Sequence, residues 1–217
     1  MENKDKILQV DELNLHFKLS RGLFKSPILI KAVDNISFSL FSGETLGIVG
    51  ESGSGKSSLC RLILKLINKT SGSISWFNND IDSLNSSELK NFRKSVQVIF
   101  QDPYGSLDPR MTIGKIISEP LDIYRKNLKT KEKEELVIKA MTDVGLSNEL
   151  FNRYPHELSG GQCQRVGIAR SLINNPSVLI CDEPVSALDL SIQAQILDLI
   201  KLLKEKYKLT VIFVSHD

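Results

Sequence analysis

The sequence predicts an α/β domain with a mainly parallel sheet at its core, antiparallel β-strands on its N-terminal side and an inserted α-helical subdomain. Three observations carry that expectation. A continuous apolar stretch, Thr45–Val49, runs into a glycine-rich loop, Gly50-Glu51-Ser52-Gly53-Ser54-Gly55-Lys56-Ser57, which opens an amphipathic helix. Towards the other end, strand-like residues 178–181, helix-periodic residues 192–207 and strand-like residues 210–214 follow one another through short connections, the pattern of a parallel sheet covered on both faces. Between these blocks, residues 102–158 turn helical and polar.

Taken in order, alternating apolar residues over 7–17 predict a first strand and those over 36–40 a second, with Gly22 and Pro27 in the loop between them. Ser42-Gly43 supplies the turn into the third. In a helix expected over 56–67, Leu59, Leu62, Ile63 and Leu66 share one face. Residues 72–76 and 96–100 read as further strands, the second ending at Gln101. The lysine and glutamate cluster of 129–135 precedes a helical segment at 136–144, and a mixed charge run on a helix predicts a solvated face. In the last helix Ile192, Ile196, Leu199, Ile200 and Leu203 form an apolar stripe suited to core packing, with Ser191 expected as its cap. The expected organisation is one domain over 1–217, with a core formed by 1–101 and 159–217 and a helical subdomain over 102–158.

Composition narrows the function classes. A chain of 217 residues buries about 70% of its unfolded surface and needs neither disulfides nor metal to fold. A quarter of the residues are charged, yet the net charge is only +2, so nucleic acid is not the expected partner. Cys60, Cys163 and Cys181 lack C-x-x-C spacing and read as small reduced apolar side chains. No apolar run approaches the roughly 20 residues of a membrane span, and the polar start is not a secretory signal. A role at a membrane must come through a partner.

The motifs carry the chemistry. In the glycine-rich loop, backbone N–H groups turn towards phosphates and the following helix adds the positive end of its dipole. Residues Gly50, Glu51, Ser52, Gly53, Ser54, Gly55, Lys56, Ser57 and Ser58 form the candidate nucleotide-binding set, with Lys56 on the β- and γ-phosphates and Ser57 on Mg²⁺. Such a loop indicates nucleotide but not reaction. Asp182 ends its strand where a second Mg²⁺ contact is expected, and Glu183 can polarise a water aimed at the γ-phosphate, which favours hydrolysis. Gln101, at another strand end, can reach Mg²⁺ or the attacking water and report γ-phosphate to the helical insertion. Ser159, Gly160, Gly161 and Gln162 begin a second helix whose N–H groups form an anion site far along the chain from Lys56. One chain needs only one cradle, so the second is expected to serve the nucleotide of a partner in a head-to-tail dimer.

In this order, the phosphate loop, Gln101, Leu158-Ser159-Gly160-Gly161-Gln162 and the strand ending in Asp182-Glu183 resemble the ATP-binding cassette ATPases over nearly the whole chain. The resemblance implies the phosphate-loop NTPase fold of that family and a set of roles: Gln101 as sensor and Mg²⁺ ligand, Asp182 for Mg²⁺, Glu183 as catalytic base, Asp189 in the dimer-contacting loop, His216 as the switch histidine on the γ-phosphate, and Phe17 stacking on adenine, with Phe24 close by. Two stretches look more narrowly like oligopeptide and dipeptide importer ATPases: Gln101-Asp102-Pro103-Tyr104-Gly105-Ser106-Leu107-Asp108-Pro109-Arg110-Met111-Thr112 and Glu183-Pro184-Val185-Ser186-Ala187-Leu188-Asp189-Leu190-Ser191-Ile192-Gln193-Ala194-Gln195. The interrupted start before Ala32-Val33-Asp34 does so too. The resemblance implies a peripheral subunit on the cytoplasmic membrane face, paired as a homodimer or with a related ATPase, working with transmembrane permease subunits and an extracytoplasmic solute-binding protein. Importers of nickel and other small solutes share much of this wording, and soluble cassette ATPases of DNA repair or ribosomes share the site residues. Two departures stand out. Cys163 follows the signature where the family has a basic or polar residue, and the chain stops at His216-Asp217 where family members continue, so a C-terminal truncation is expected.

Overall fold

The computed structural model describes residues 5–20 and 28–216, and the chain divides into two compact units, Met1–Arg93 with Ser215–Asp217, and Lys94–Val214. Gly22, Phe24 and Pro27 lie outside the described residues.

The first unit is built on an antiparallel sheet in the order β2-β1-β4-β5, with β1 Lys6–Leu19, β2 Ile28–Phe41, β4 Ser71–Trp76 and β5 Asn79–Asp80. Ile7, Leu8, Val10, Leu13 and Leu15 of β1 are buried. The β1–β2 ladder is irregular around Glu12 and Asn35, both in the left-handed region at φ 45° and 54°. There Glu12 N donates to Ser37 Oγ at 2.8 Å and Asn35 N to Asn14 Oδ1 at 2.8 Å, so side chains replace the lost ladder bonds. β2 begins at Ile28 rather than at 36, because pairing with β1 carries the strand through residues that Lys31, Asp34 and Asn35 keep from alternating cleanly.

β3 (Thr45–Val49) matches its expected bounds and leads through the glycine-rich loop into α1 (Lys56–Ile63). The helix stops short of residue 67 because Lys65 turns left-handed at φ 50°, and Leu66, expected on the buried face, is exposed. α2 (Ser86–Ser95) was not expected: Phe92 is its one buried residue, edge-on to Trp76 at 5.4 Å, so it carries almost no apolar periodicity.

In the second unit β6 (Val96–Ile99), β7 (Val178–Asp182) and β8 (Thr210–Ser215) run parallel in the order β8-β7-β6, with Val178 opposite both Val96 and Thr210. Every residue of β7 is buried. Four helices, α3 (Ile113–Tyr124), α4 (Thr130–Asp143), α5 (Gly160–Leu172) and α6 (Leu190–Tyr207), share one apolar cluster with the strands, drawing on Ile117, Met141, Ile168, Leu179 and Ile196. Fully burying such an aliphatic side chain contributes about 1.5–3 kcal/mol. α4 buries Val137, Ala140 and Met141 and leaves Lys131, Glu132, Glu134 and Glu135 exposed, the solvated face its charge run predicts.

The stripe of α6 is buried at Ile196, Leu199, Ile200 and Leu203, but its cap is Asp189, not Ser191. Asp189 has extended backbone, and its carbonyl accepts from the N–H groups of Ile192 and Gln193 at 2.9 Å each, which places Ser191 inside the first turn. Cys60, Cys163 and Cys181 are buried. Among the described residues, no helix is long and apolar enough to cross a membrane.

Candidate nucleotide site

The first unit supplies the phosphate loop. Gly53 and Gly55 have φ of 79° and 96°, and Gly55 is the left-handed residue on which α1 begins. A Cβ at Gly55 would lie 1.9 Å from the Ala32 carbonyl oxygen, so glycine is required there. With no side-chain cap on α1, its leading N–H groups are presented at the loop. Lys56 is buried, and its Nζ donates to the carbonyls of Gly50 at 2.7 Å and Glu51 at 2.8 Å. These carbonyls hold the ammonium at the loop, contacts that a phosphate's charge would outcompete. An open cleft of about 370 Å³ lies alongside, lined by Ala32, Val33, Gly50, Ser54 and Lys56.

Phe17 is half-exposed on β1 opposite Ile30, and the strand continues past it to Leu19. His216 is exposed just after β8.

The second unit holds the carboxylates. Asp182 is buried at the end of β7, and Glu183 follows with φ 48°, a conformation that costs an L-residue about 1–2 kcal/mol. Hydrogen bonds hold it there: Glu183 N donates to Val214 O at 3.2 Å, and its own carbonyl accepts from Ser186 N at 3.3 Å and Ser186 Oγ at 3.1 Å. This turn aims the Glu183 side chain back at the end of β6, where Gln101 Nε2 donates to its Oε2 at 3.1 Å. Two residues expected to act on one water are therefore in contact. Asp102 stabilises the turn after Gln101 by accepting from the N–H groups of Tyr104 and Gly105, both at 3.0 Å.

The second glycine turn, at the start of α5, is held by a capping box. Ser159 caps α5: its Oγ accepts from Gln162 N at 3.3 Å, while Gln162 Oε1 accepts from Ser159 N at 2.9 Å. The first intrahelical bond runs from Cys163 N to Ser159 O, so the N–H groups of Gly160 and Gly161 precede the ladder at the positive end of the helix. A Cβ on Gly161 would approach Ile192 Cγ2 to 2.7 Å, which holds this turn close to the first turn of α6. Cys163 is buried, its thiol donates to Pro155 O at 3.5 Å, and burial pushes its pKa up to about 11.

Two residues not singled out from the sequence support these groups. The Tyr104 hydroxyl donates to Leu158 O at 3.2 Å, next to the cap residue, and the buried amide of Gln164 donates to Pro184 O at 2.6 Å. Their acceptors are backbone carbonyls distant in sequence, so residue type and spacing gave no signal.

A family model described as "ABC transporter" matches residues 33–186. The chain belongs to the ABC transporter family. The cassette is 50% identical over 99% of its length to the oligopeptide transport ATP-binding protein OppF of Haemophilus influenzae, and 47% identical over its full length to that of Salmonella typhimurium. It spans 66% of the length of each. Among solved structures it resembles the ATP-binding cassette MJ0796, in a dimeric post-hydrolysis state bound to ADP and Pi, with a TM-score of 0.84 and 31% identity over 97% of this chain and 88% of that one. The α/β cassette fold expected from the motifs is the fold observed.

Proposed function

We propose that this chain is the Mg²⁺-dependent, ATP-hydrolysing subunit of a transporter that imports oligopeptides, acting at the cytoplasmic membrane face with permease subunits and a solute-binding protein. The observation that carries the reading is the Gln101–Glu183 contact at the ends of two parallel strands, within a chain that also has a phosphate loop and a second capped glycine turn. The names of the relatives support peptides over nickel or other solutes.

In this reading Phe17 stacks on adenine, and the loop residues Gly50 to Ser58 hold the phosphates, Lys56 exchanging its two carbonyl acceptors for the β- and γ-phosphates. Ser57, Gln101 and Asp182 offer hard oxygen donors suited to Mg²⁺, which when bound neutralises charge on the phosphates. Glu183 accepts a proton from the attacking water, Gln101 orients that water, and His216 donates to the γ-phosphate. Ser159, Gly160, Gly161 and Gln162 offer N–H and hydroxyl groups to the nucleotide of a partner cassette, and Asp189 contacts that partner. Closure on ATP and reopening after hydrolysis would move residues 102–158 as a helical subdomain. The groove of about 330 Å³ lined by Phe100, Glu119, Ile123, Tyr124 and Arg170, beside Gln101, gives a permease segment a seat through which that motion passes.

Glu183→Gln tests the assignment: ATP binding is retained and steady-state phosphate release is abolished. Appreciable residual turnover would remove Glu183 as the base.

A further inference from the structure

Gln164 sits on α5, the helix that Ser159 caps, and its side chain is only 2% exposed. Its Nε2 donates to Pro184 O at 2.6 Å and to Phe100 O at 3.4 Å. These are the carbonyl of the residue just after Glu183 and that of the residue just before Gln101. The parallel register of β6 and β7 ends at Ile99 opposite Cys181, so Phe100 and Pro184 both lie past its last pair, and Pro184 has no N–H to offer. One buried amide therefore supplies a bond across the two strand ends where the ladder has stopped. Beyond it, the Gln101 amide meets the Glu183 carboxylate at 3.1 Å.

We propose that Gln164 is a positioning residue for hydrolysis: it clamps the carbonyls flanking Gln101 and Glu183, and so fixes the distance between those two side chains and ties it to the helix that presents Ser159 to Gln162. The inference rests on the roles given above to Gln101 and Glu183. Gln164 lies five residues beyond the cap Ser159, about 7.5 Å along the axis at the α-helical rise, within one rigid element. A shift of the first turn of α5 on engaging a partner's nucleotide would therefore be felt at Phe100 and Pro184 of the same chain. Removing the amide leaves two carbonyls without their donor, a local penalty that acts on Gln101 and Glu183. Acting through Gln101 and Glu183, Gln164 affects kcat rather than nucleotide affinity.

Gln164→Met is the test, since it keeps length and burial and removes both hydrogen bonds. In the intact protein, kcat should fall at least tenfold, with KM for ATP and Kd for a fluorescent ATP analogue each within twofold of wild type. Gln164→Glu supplies the second measurement. A buried carboxyl is pushed towards its protonated form, which keeps one donor, so turnover of this variant relative to wild type should rise as pH falls from about 8 to about 6, while that of Gln164→Met stays flat. A kcat for Gln164→Met within twofold of wild type would overturn the inference, as would losses of ATP affinity that match the loss of kcat. Glu183→Gln run alongside separates the two levels: if it is inactive and Gln164→Met is not, only the Gln164 inference falls, whereas turnover by Glu183→Gln removes both.

Discussion

Gly53 and Gly55 lie in the same phosphate loop, both at positive φ, and alanine at each should have sharply different consequences. At Gly53 a Cβ meets nothing within 4 Å, so Gly53→Ala carries only the backbone cost of an L-residue in the left-handed region, about 1–2 kcal/mol. At Gly55 the same cost applies, and the new Cβ also falls 1.9 Å from the Ala32 carbonyl oxygen, short by about 1.5 Å of an ordinary non-bonded contact. The obstacle is β2 backbone, which cannot rotate away as a side chain would. Relieving it displaces the loop that places Lys56 and the start of α1, at a further cost of about 1–3 kcal/mol. With each 1.4 kcal/mol worth tenfold, Gly53→Ala should weaken binding of a fluorescent ATP analogue by at most about 30-fold, and Gly55→Ala by about 1.5 to 3.5 orders of magnitude. Titration with Mg²⁺ present, alongside thermal melting of both variants, measures the partition between binding and stability. Equal, mild effects at the two positions would refute the close approach of the loop to Ala32.

Other expectations concern the second unit. Ser159→Ala removes the acceptor for Gln162 N at the start of α5 and should cost about 1 kcal/mol of stability, seen in denaturant midpoints, together with a loss of ATP-dependent association at unchanged monomer affinity for ATP. Alkylation of Cys163 at pH 8 should be far slower in the folded protein than in denaturant, since the thiol is buried and its pKa is pushed up to about 11; rapid mass-detected labelling under native conditions would contradict this. Asp143 is raised by burial, but hydrogen bonds from Lys206 Nζ and the Tyr207 hydroxyl outweigh that and hold its carboxyl below the ordinary value of 3.8. A depressed carboxylate contributes stability above its unfolded pKa and loses it as pH falls through the folded one, so melting temperature should drop below about pH 4, and Asp143→Asn should flatten that part of the curve.

Much of the fold was legible because its signals are local. The apolar run of β3 ends where the glycines begin, β7 is a short continuous apolar stretch, and the stripe of α6 is periodic over its whole length. What was not legible depends on tertiary partners. α2 buries only Phe92, and the early start of β2 is imposed by pairing with β1. The end of α1 turns on Lys65 adopting a left-handed conformation that its residue type does not announce, and the cap of α6 falls on Asp189 because the chain is still extended there. At the site, Lys56, Glu183 and Ser159 could be named because each belongs to a compact pattern. Gln164 could not, since its partners are the carbonyls of Phe100 and Pro184.

The central claim is that one chain's phosphate loop and another's Ser159 turn enclose the same nucleotide. Its most direct test is the light-scattering mass of Glu183→Gln with and without Mg·ATP. A doubling of mass that depends on ATP, and that is lost on Ser159 substitution, is the expected result. A protein that binds ATP and stays monomeric at high concentration would contradict it.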